Sequence, residues 1–531
     1  MTVGTCLKVL LYGLYVLTVI VVVPGLLYWY VVPEGQLAIP YWIGFTFVAV
    51  TNAMIILSSC LAIICCLWRY CQKKRYYVWN VAEKKYQTFY ANDLKHTLEY
   101  APASIVSPGT ASLRSIDTKS DLDSVTVKVS HDLPRIAIVV SAYLVNERQV
   151  IEDTLIRMGE LVYPSQVDVI LVYNTPEFLG QVDLMERLEA LREKYSLEYP
   201  NKTLHLIECK TSKSKAENIN HILQLMDRRE LPRPEYIGIF DADHRPCLRS
   251  LLKGIYLLRK KKADILQGRC VILNNHHFLT KLISVELDSI YVLHHKGGEL
   301  LRGMGFFGGS NGIWSYAALQ ATKMDPSMLT EDIDSSMRAI LAGYKIIYST
   351  DVQSFELAPT TWFGLGKQRL RWSQGWFQVS LKHTLPIICS PYLTCWQKIC
   401  FFSMLIYREI FYYAASQNWI IFIISLLRGD FLYNEWLTIS TGIAMAILPI
   451  TMLMVWTYVE LSPDSSPPPE YKPLTGWNYW LYCLMSIPYS YFLFVVTILS
   501  HLFEMIGDKR WRVTARSSSS LVIYPTPDQS V

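Results

Sequence analysis

Tyr236-Ile237-Gly238-Ile239-Phe240-Asp241-Ala242-Asp243-His244 is a short apolar run that ends in two carboxylates and an imidazole. The apolar half predicts a buried strand. Asp241 and Asp243 then fall at its carboxyl end, the edge at which open α/β sheets bind ligands. Two acidic side chains one residue apart, with His244 beside them, can hold a hard divalent cation such as Mg2+ or Mn2+ against a diphosphate. Taken alone, the same residues also suit a polar turn that caps a strand. The neighbouring sequence decides between the two.

On either side of this stretch, β-branched apolar runs predict further strands at Ile136–Val140, Val167–Val172, Leu204–Ile207 and Ile346–Tyr348. Helical patterns lie between them at Val150–Met158, Leu184–Tyr195, Ala216–Leu225 and Leu248–Arg259. Strands alternating with helices predict a mostly parallel sheet covered on both faces, a nucleotide-binding architecture.

Farther out, the chain changes character. It has 531 residues, 51% of them hydrophobic, and a mean hydropathy of +0.21. That value points away from a purely soluble protein. A net charge of +5 with no recognisable nucleic-acid module excludes nucleic acid as a partner. Leu7–Val32 and Tyr41–Trp68 are each long enough to cross a bilayer. Arg69 and Lys73-Lys74-Arg75 follow the second, so the hairpin runs in–out–in and leaves the next region in the cytosol. Residues 101–132, rich in Ser, Thr, Asp and Pro, read as a mobile loop. After Trp362 come an aromatic and cationic stretch, Gln368–Leu385, and apolar stretches at Ile399–Leu427, Trp436–Val459 and Trp477–Phe503. Arg408-Glu409 in the first and Pro488 in the last predict interfacial or broken helices. The twelve Cys show no metal-ligand spacing and no disulfide framework.

Four other polar stretches accompany Asp241 and Asp243. Ser141–Arg148 reads SAYLVNER at a strand end, and Lys215–Asn220 reads KAENIN at a helix start, where a cation and backbone amides can meet phosphate. Thr330-Glu331-Asp332 opens another helix and Gln368–Trp372 reads QRLRW. Thr330-Glu331-Asp332 also suits a plain helix cap, and QRLRW a plain membrane-surface helix.

The ordered set DAD, TED and QRLRW between membrane segments resembles the family 2 inverting membrane glycosyltransferases of the cellulose, hyaluronan and chitin synthase type. The resemblance covers roughly Arg135–His383, and Trp511–Arg516 (WRVTAR) is similar to the gating loop of cellulose synthases. It implies a GT-A-like α/β cytosolic domain inserted in a helical transmembrane bundle with interfacial helices. The layout would be a membrane hairpin over 1–70, a cytosolic linker over 71–134 and a transferase domain over 135–361. An interfacial region would follow over 362–395, membrane helices over 396–506 and a cytosolic tail over 507–531. The whole would be a multi-pass protein of the plasma membrane.

Residue by residue, the resemblance implies Asp332 as general base. Asp243 would hold the Mg2+ or Mn2+ ion, with Asp241 and His244 in the metal set. Tyr143, Glu147, Asn174, Lys215, Asn218, Asp241, Gln368, Arg371, Thr514 and Arg516 would bind a UDP-sugar donor. Trp372, Gly309, Ser310 and Glu331 would face the acceptor, and membrane lipids would surround the helices. Two positions depart from the pattern: Asn174 stands for an aspartate, and Gly308 for the Cys of the acceptor loop. The implied reaction is transfer to a growing β-linked polysaccharide that leaves through the membrane bundle. One-step transfer to a lipid, as in ceramide glucosyltransferases, is the alternative. A non-catalytic scaffold is a third reading, suggested by Asn174.

Residue chemistry alone agrees with transfer. An acceptor hydroxyl that attacks C1 needs a carboxylate to take its proton, and the departing diphosphate needs cations.

Overall fold

The strands expected around Tyr236 all form, each longer than its apolar run. The computed structural model describes residues 18, 22–32, 60, 64, 75–80, 85–90, 133–174, 182–429, 448–460 and 467–508. A two-stranded antiparallel ribbon, β1 (Arg75–Asn80) and β2 (Lys85–Tyr90), stands where the sequence predicts only a linker. The main sheet contains β3 (Ile136–Tyr143), β4 (Val167–Asn174), β5 (Lys202–Glu208), β6 (Tyr236–Asp241), β7 (Arg245–Pro246), β8 (Ile265–Ile272), β9 (Gly312–Ser315) and β10 (Ile346–Glu356). Its order is β5-β4-β3-β6-β9-β8-β10-β7.

Side chains alternate across the strands, and the helices sort accordingly. Ala137, Val139, Ile170, Val172, Ile237 and Ile239 pack with the Lys215–Asp227, Tyr316–Thr322 and Glu331–Leu341 helices on one face. Ile136, Ile138, Val140, Val167, Val169 and Leu171 pack with the Ile151–Gly159, Val182–Glu198 and Ser250–Lys261 helices on the other. In the Lys215–Asp227 helix, Ile219, Ile222, Leu223 and Met226 repeat at helical spacing and are all buried, which presses that helix onto the sheet.

The sheet is less uniform than the alternation of elements suggests. β3, β4, β5 and β6 are parallel, but β9 runs antiparallel between β6 and β8, and β7 antiparallel beside β10. Ile239 of β6 pairs with Gly312, the first residue of β9. The chain entering β9, residues 306–311, is therefore delivered to the carboxyl end of β6.

Beyond the sheet, Trp362–Cys389 forms one helix with Pro386 inside it, longer than the Gln368–Leu385 stretch. Arg408-Glu409 is satisfied within the protein: Arg408 lies over the Trp376 ring at 4.9 Å, and Glu409 meets His501 Nε2 at 2.7 Å. The Gly476–Met505 helix bends by 58° between Ser486 and Pro488. Among the described residues no single helix is long and apolar enough to cross a membrane; this bent pair passes by length and composition. Leu7–Leu17, Tyr41–Trp68 apart from Cys60 and Ile64, the loop over 101–132 and Trp511–Arg516 lie outside the described residues. Tyr28 reaches Gln417 at 3.3 Å, and Arg428 donates to the Val32 carbonyl at 3.0 Å, joining residues 22–32 to the Arg408–Leu427 helix.

Candidate active site

Several distant segments converge at the end of β6. Lys215 leads a helix capped by Ser214, whose Oγ accepts from the Glu217 amide. Its ammonium group donates to the Asp241 carboxylate and, at 2.6 Å, to the Gly309 carbonyl. The Asp241 amide donates to Ser310 Oγ at 2.9 Å. Gly309 sits at φ +104°, a conformation that L side chains rarely adopt, and a Cβ there would collide with Asp332 Oδ2. The Asp332 carboxylate thus points its Oδ2 at the loop that also carries Ser310.

Burial shapes the electrostatics first. It raises the Glu331 and Asp332 carboxyls above the usual range; their neighbouring acidic charges add to this, and Lys215 and Arg371 oppose it. Burial also works against the Lys215 ammonium, but Asp241, Glu331 and Asp332 outweigh it and hold its pKa above the ordinary value. A carboxylate of raised basicity is better suited to accept a proton than an ordinary one. Arg371, from the QRLRW helix, reaches the Leu329 carbonyl at 3.5 Å, next to the TED turn. Gly375, one turn farther, is where that helix touches the turn: a Cβ would strike Thr330.

The remaining expected residues are distributed around this centre. The Tyr143 amide donates to Glu147 Oε2 at 2.8 Å, so Glu147 shapes the strand end. Asn174 donates to the Ser212 carbonyl at 2.7 Å, tying β4 to the loop before Lys215. Asn218 donates to Ser141 Oγ at 2.9 Å, and its buried Oδ1 has no hydrogen-bond partner among the described residues. Gln368 Oε1 accepts from Arg369 at 2.9 Å. Asp243 Oδ2 accepts from the Leu357 amide at 3.1 Å.

His244 does not join the two aspartates. It is fully buried, with Nδ1 on Ser354 Oγ at 2.9 Å and Nε2 facing Glu356 at 3.3 Å. With both ring nitrogens turned to β10, it braces the loop from behind and is not a metal ligand. Thr514 and Arg516 lie outside the described residues.

Sequence reading misses the residues that hold this geometry. Gln267 donates to the Ser310 carbonyl at 2.9 Å and accepts from the Gly308 amide at 2.7 Å, stapling the glycine loop. Ser336 Oγ accepts from the Phe307 amide at 2.9 Å. Asp334, two residues past the base candidate, meets Arg338, Lys382 and His383, each at 2.8 Å, and clamps the TED helix to the QRLRW helix. No spacing rule marks Gln267 or Ser336; the Asp334/Arg338 spacing of four is the one visible signal.

Asp334 makes a testable contribution. Burial opposes its charge, but His383, Lys382 and Arg338 prevail and pull its pKa from 3.8 to about 2. A depressed carboxyl stabilises the fold fully above its unfolded pKa and loses that contribution as pH falls through the folded one. The Tm should therefore fall between about pH 4 and pH 2 in the wild type. Asp334→Asn should start lower and show a flatter fall there; parallel curves would remove Asp334 from this role.

The model of the glycosyl transferase family group 2 matches residues 236–503, from the first residue of β6 through the bent helix. The chain belongs to this family. It is a family 2 glycosyltransferase, and the match contains the DAD, glycine-loop, TED and QRLRW segments together. The transferase is 26% identical over 232 residues to glucomannan 4-beta-mannosyltransferase 2 of Arabidopsis thaliana, covering 41% of this chain and 43% of that one. It is 23% identical over 310 residues to glucomannan 4-beta-mannosyltransferase 1 of Cyamopsis tetragonoloba, covering 57% and 56%. The transferase thus spans about half the length of these curated relatives. Among solved structures, a mannosyltransferase from Pyrobaculum calidifontis in complex with GDP-Man and Mn2+ matches with a TM-score of 0.40 and 17% identity, over 62% of this chain and 86% of that one.

Proposed function

We propose that the transferase moves a sugar from a UDP-sugar to the end of a growing β-linked polysaccharide, with inversion at C1. The observation that carries the reading is the contact of Asp332 with Gly309. It sets a basic carboxylate against the loop whose carbonyl and hydroxyl also engage Lys215 and Asp241. Acceptor and donor ends of a displacement would meet there. Asp332 takes the proton of the attacking hydroxyl, and Lys215, Arg371 and Gln368 face the diphosphate. Trp372 lies under the acceptor ring. Attack from the side opposite the leaving group turns an α-linked donor into a β-linkage.

Asp241 and Asp243 offer hard oxygen ligands that fit Mg2+ or Mn2+. Among the described residues no group of three or more His, Cys, Asp or Glu could hold a metal. The ion would supply charge neutralisation at the diphosphate when bound. In this reading the catalytic domain is cytosolic, and the protein is a multi-pass protein of the plasma membrane whose helices lead the polymer out. The mean hydropathy and the bent apolar helix support association with a membrane.

The test is product size. Purified protein is given labelled UDP-glucose, UDP-N-acetylglucosamine, UDP-glucuronate and GDP-mannose in turn, the last because the relatives are named as mannosyltransferases. One donor should give a ladder that chelation abolishes and Mg2+ or Mn2+ restores. A single lipid-mobile product would replace the polymer reading with lipid transfer, and no product from any donor would favour the scaffold.

A further inference from the structure

Arg369 is the cation of QRLRW to which the proposed reaction gives no task. Its side chain is 5% exposed. All three guanidinium nitrogens have partners from different parts of the chain. Nη1 donates to Gln368 Oε1 at 2.9 Å, Nη2 to Glu286 Oε2 at 2.5 Å, and Nε to the Tyr489 hydroxyl at 3.4 Å. The Tyr489 hydroxyl itself donates to Glu286 Oε2 at 2.9 Å, closing a triad. Tyr489 follows Pro488, so the 58° bend of the Gly476–Met505 helix lies beside it. The guanidinium so anchored lies over the Trp372 ring, 4.3 Å from its centroid.

A guanidinium held by three hydrogen bonds to protein groups, with its side chain only 5% exposed, is poorly placed to bind a diphosphate. Its flat face is another matter: stacked on an indole, it is attracted by the ring's negative face and restricts the ring's rotation. The half-buried Trp372 then presents only its remaining surface to a sugar. We propose that Arg369, fixed by Glu286 and Tyr489, is a positioning residue for the acceptor sugar and acts by holding the Trp372 ring in place. This rests on the reading of Trp372 as the acceptor floor.

The experiment is a double-mutant cycle on Arg369 and Trp372, read by the KM for added product oligomers, the mean ladder length and the donor KM. Arg369→Ala is expected to raise the oligomer KM by about 5–30-fold, the range of an enclosed cation–π contact. The ladder should shorten, with the donor KM within about twofold. Arg369→Lys, which keeps the charge but not the three-point fork, should fall between. Tyr489→Phe, which removes one hydroxyl and cannot unfold the helix by lost volume, should move the oligomer KM in the same direction. Arg369→Ala combined with Trp372→Ala should be no worse than Trp372→Ala alone, because a residue that acts through another adds nothing once that other is gone. Multiplying effects, or an equal rise in donor KM, overturn the proposal and make Arg369 a structural or donor-side residue. If Trp372→Ala alone leaves oligomer KM and ladder length unchanged, the acceptor-floor reading itself is wrong.

Discussion

Asp332→Asn should lower transfer by about 10²–10⁴-fold, the usual cost of a lost general base, while UDP affinity stays within a few-fold. The separation follows from position. Asp332 Oδ1 accepts from the Ile333 amide at 2.9 Å, and Oδ2 lies against Gly309. The direct carboxylate partner of Lys215 is instead Asp241. Asn keeps the shape and one acceptor but cannot take a proton, so the loss should fall on turnover. Steady-state rates with isothermal titration of UDP check both halves. Turnover within a few-fold of wild type would exclude Asp332 as the base, and a parallel loss of UDP affinity would move it to the donor side.

Gly309→Ala should be nearly as damaging, with no change of charge at all. The added methyl would occupy the space of Asp332 Oδ2 at a φ of +104°. Holding a non-glycine residue in such a region costs about 1–3 kcal/mol. The strain can be relieved by moving the loop or by swinging the carboxylate away. A displacement of about 1 Å at a reacting group is enough for about 10²-fold in rate. Because the Gly309 carbonyl also holds Lys215, donor KM should rise as well, unlike in Asp332→Asn. Full activity would mean that the loop and the base separate during turnover, and that their contact here is not the reactive one.

Both residues can be picked out from the sequence, but the contact between them cannot. The parallel strands at the heart of the sheet are legible because strands buried on both faces are mostly apolar, Asp168 in β4 being admitted by its pairing with Arg135 and His205. β8 is not legible, since Ile265–Ile272 carries Gln267 and Arg269 in its middle yet is buried along its whole length. Those polar groups are affordable only because Gln267 is paired with the glycine loop 43 residues away and Arg269 with Asp288 at 2.6 Å. β9 has four residues, too few to show a period. His244 misleads for the opposite reason: adjacency in sequence to two aspartates says nothing of where its ring points, and β10 claims both nitrogens.

The sequence by itself determined the α/β alternation, the end of β6 at which the paired aspartates fall, and the motifs that carry charge. Those properties are local: they depend on the period of apolar residues and on which residue types end a strand or begin a helix. Only the tertiary structure decided that β9 runs backwards beside β6, bringing Gly309 to Asp241. It alone pressed Asp332 against that glycine, and turned Asp334 and Arg369 into clamps on the QRLRW helix. Each of these depends on partners dozens to more than a hundred residues apart, and burial makes leaving any one of them unpaired costly. Such pairings leave no periodic trace in the chain, because they are selected by the geometry of the packed state.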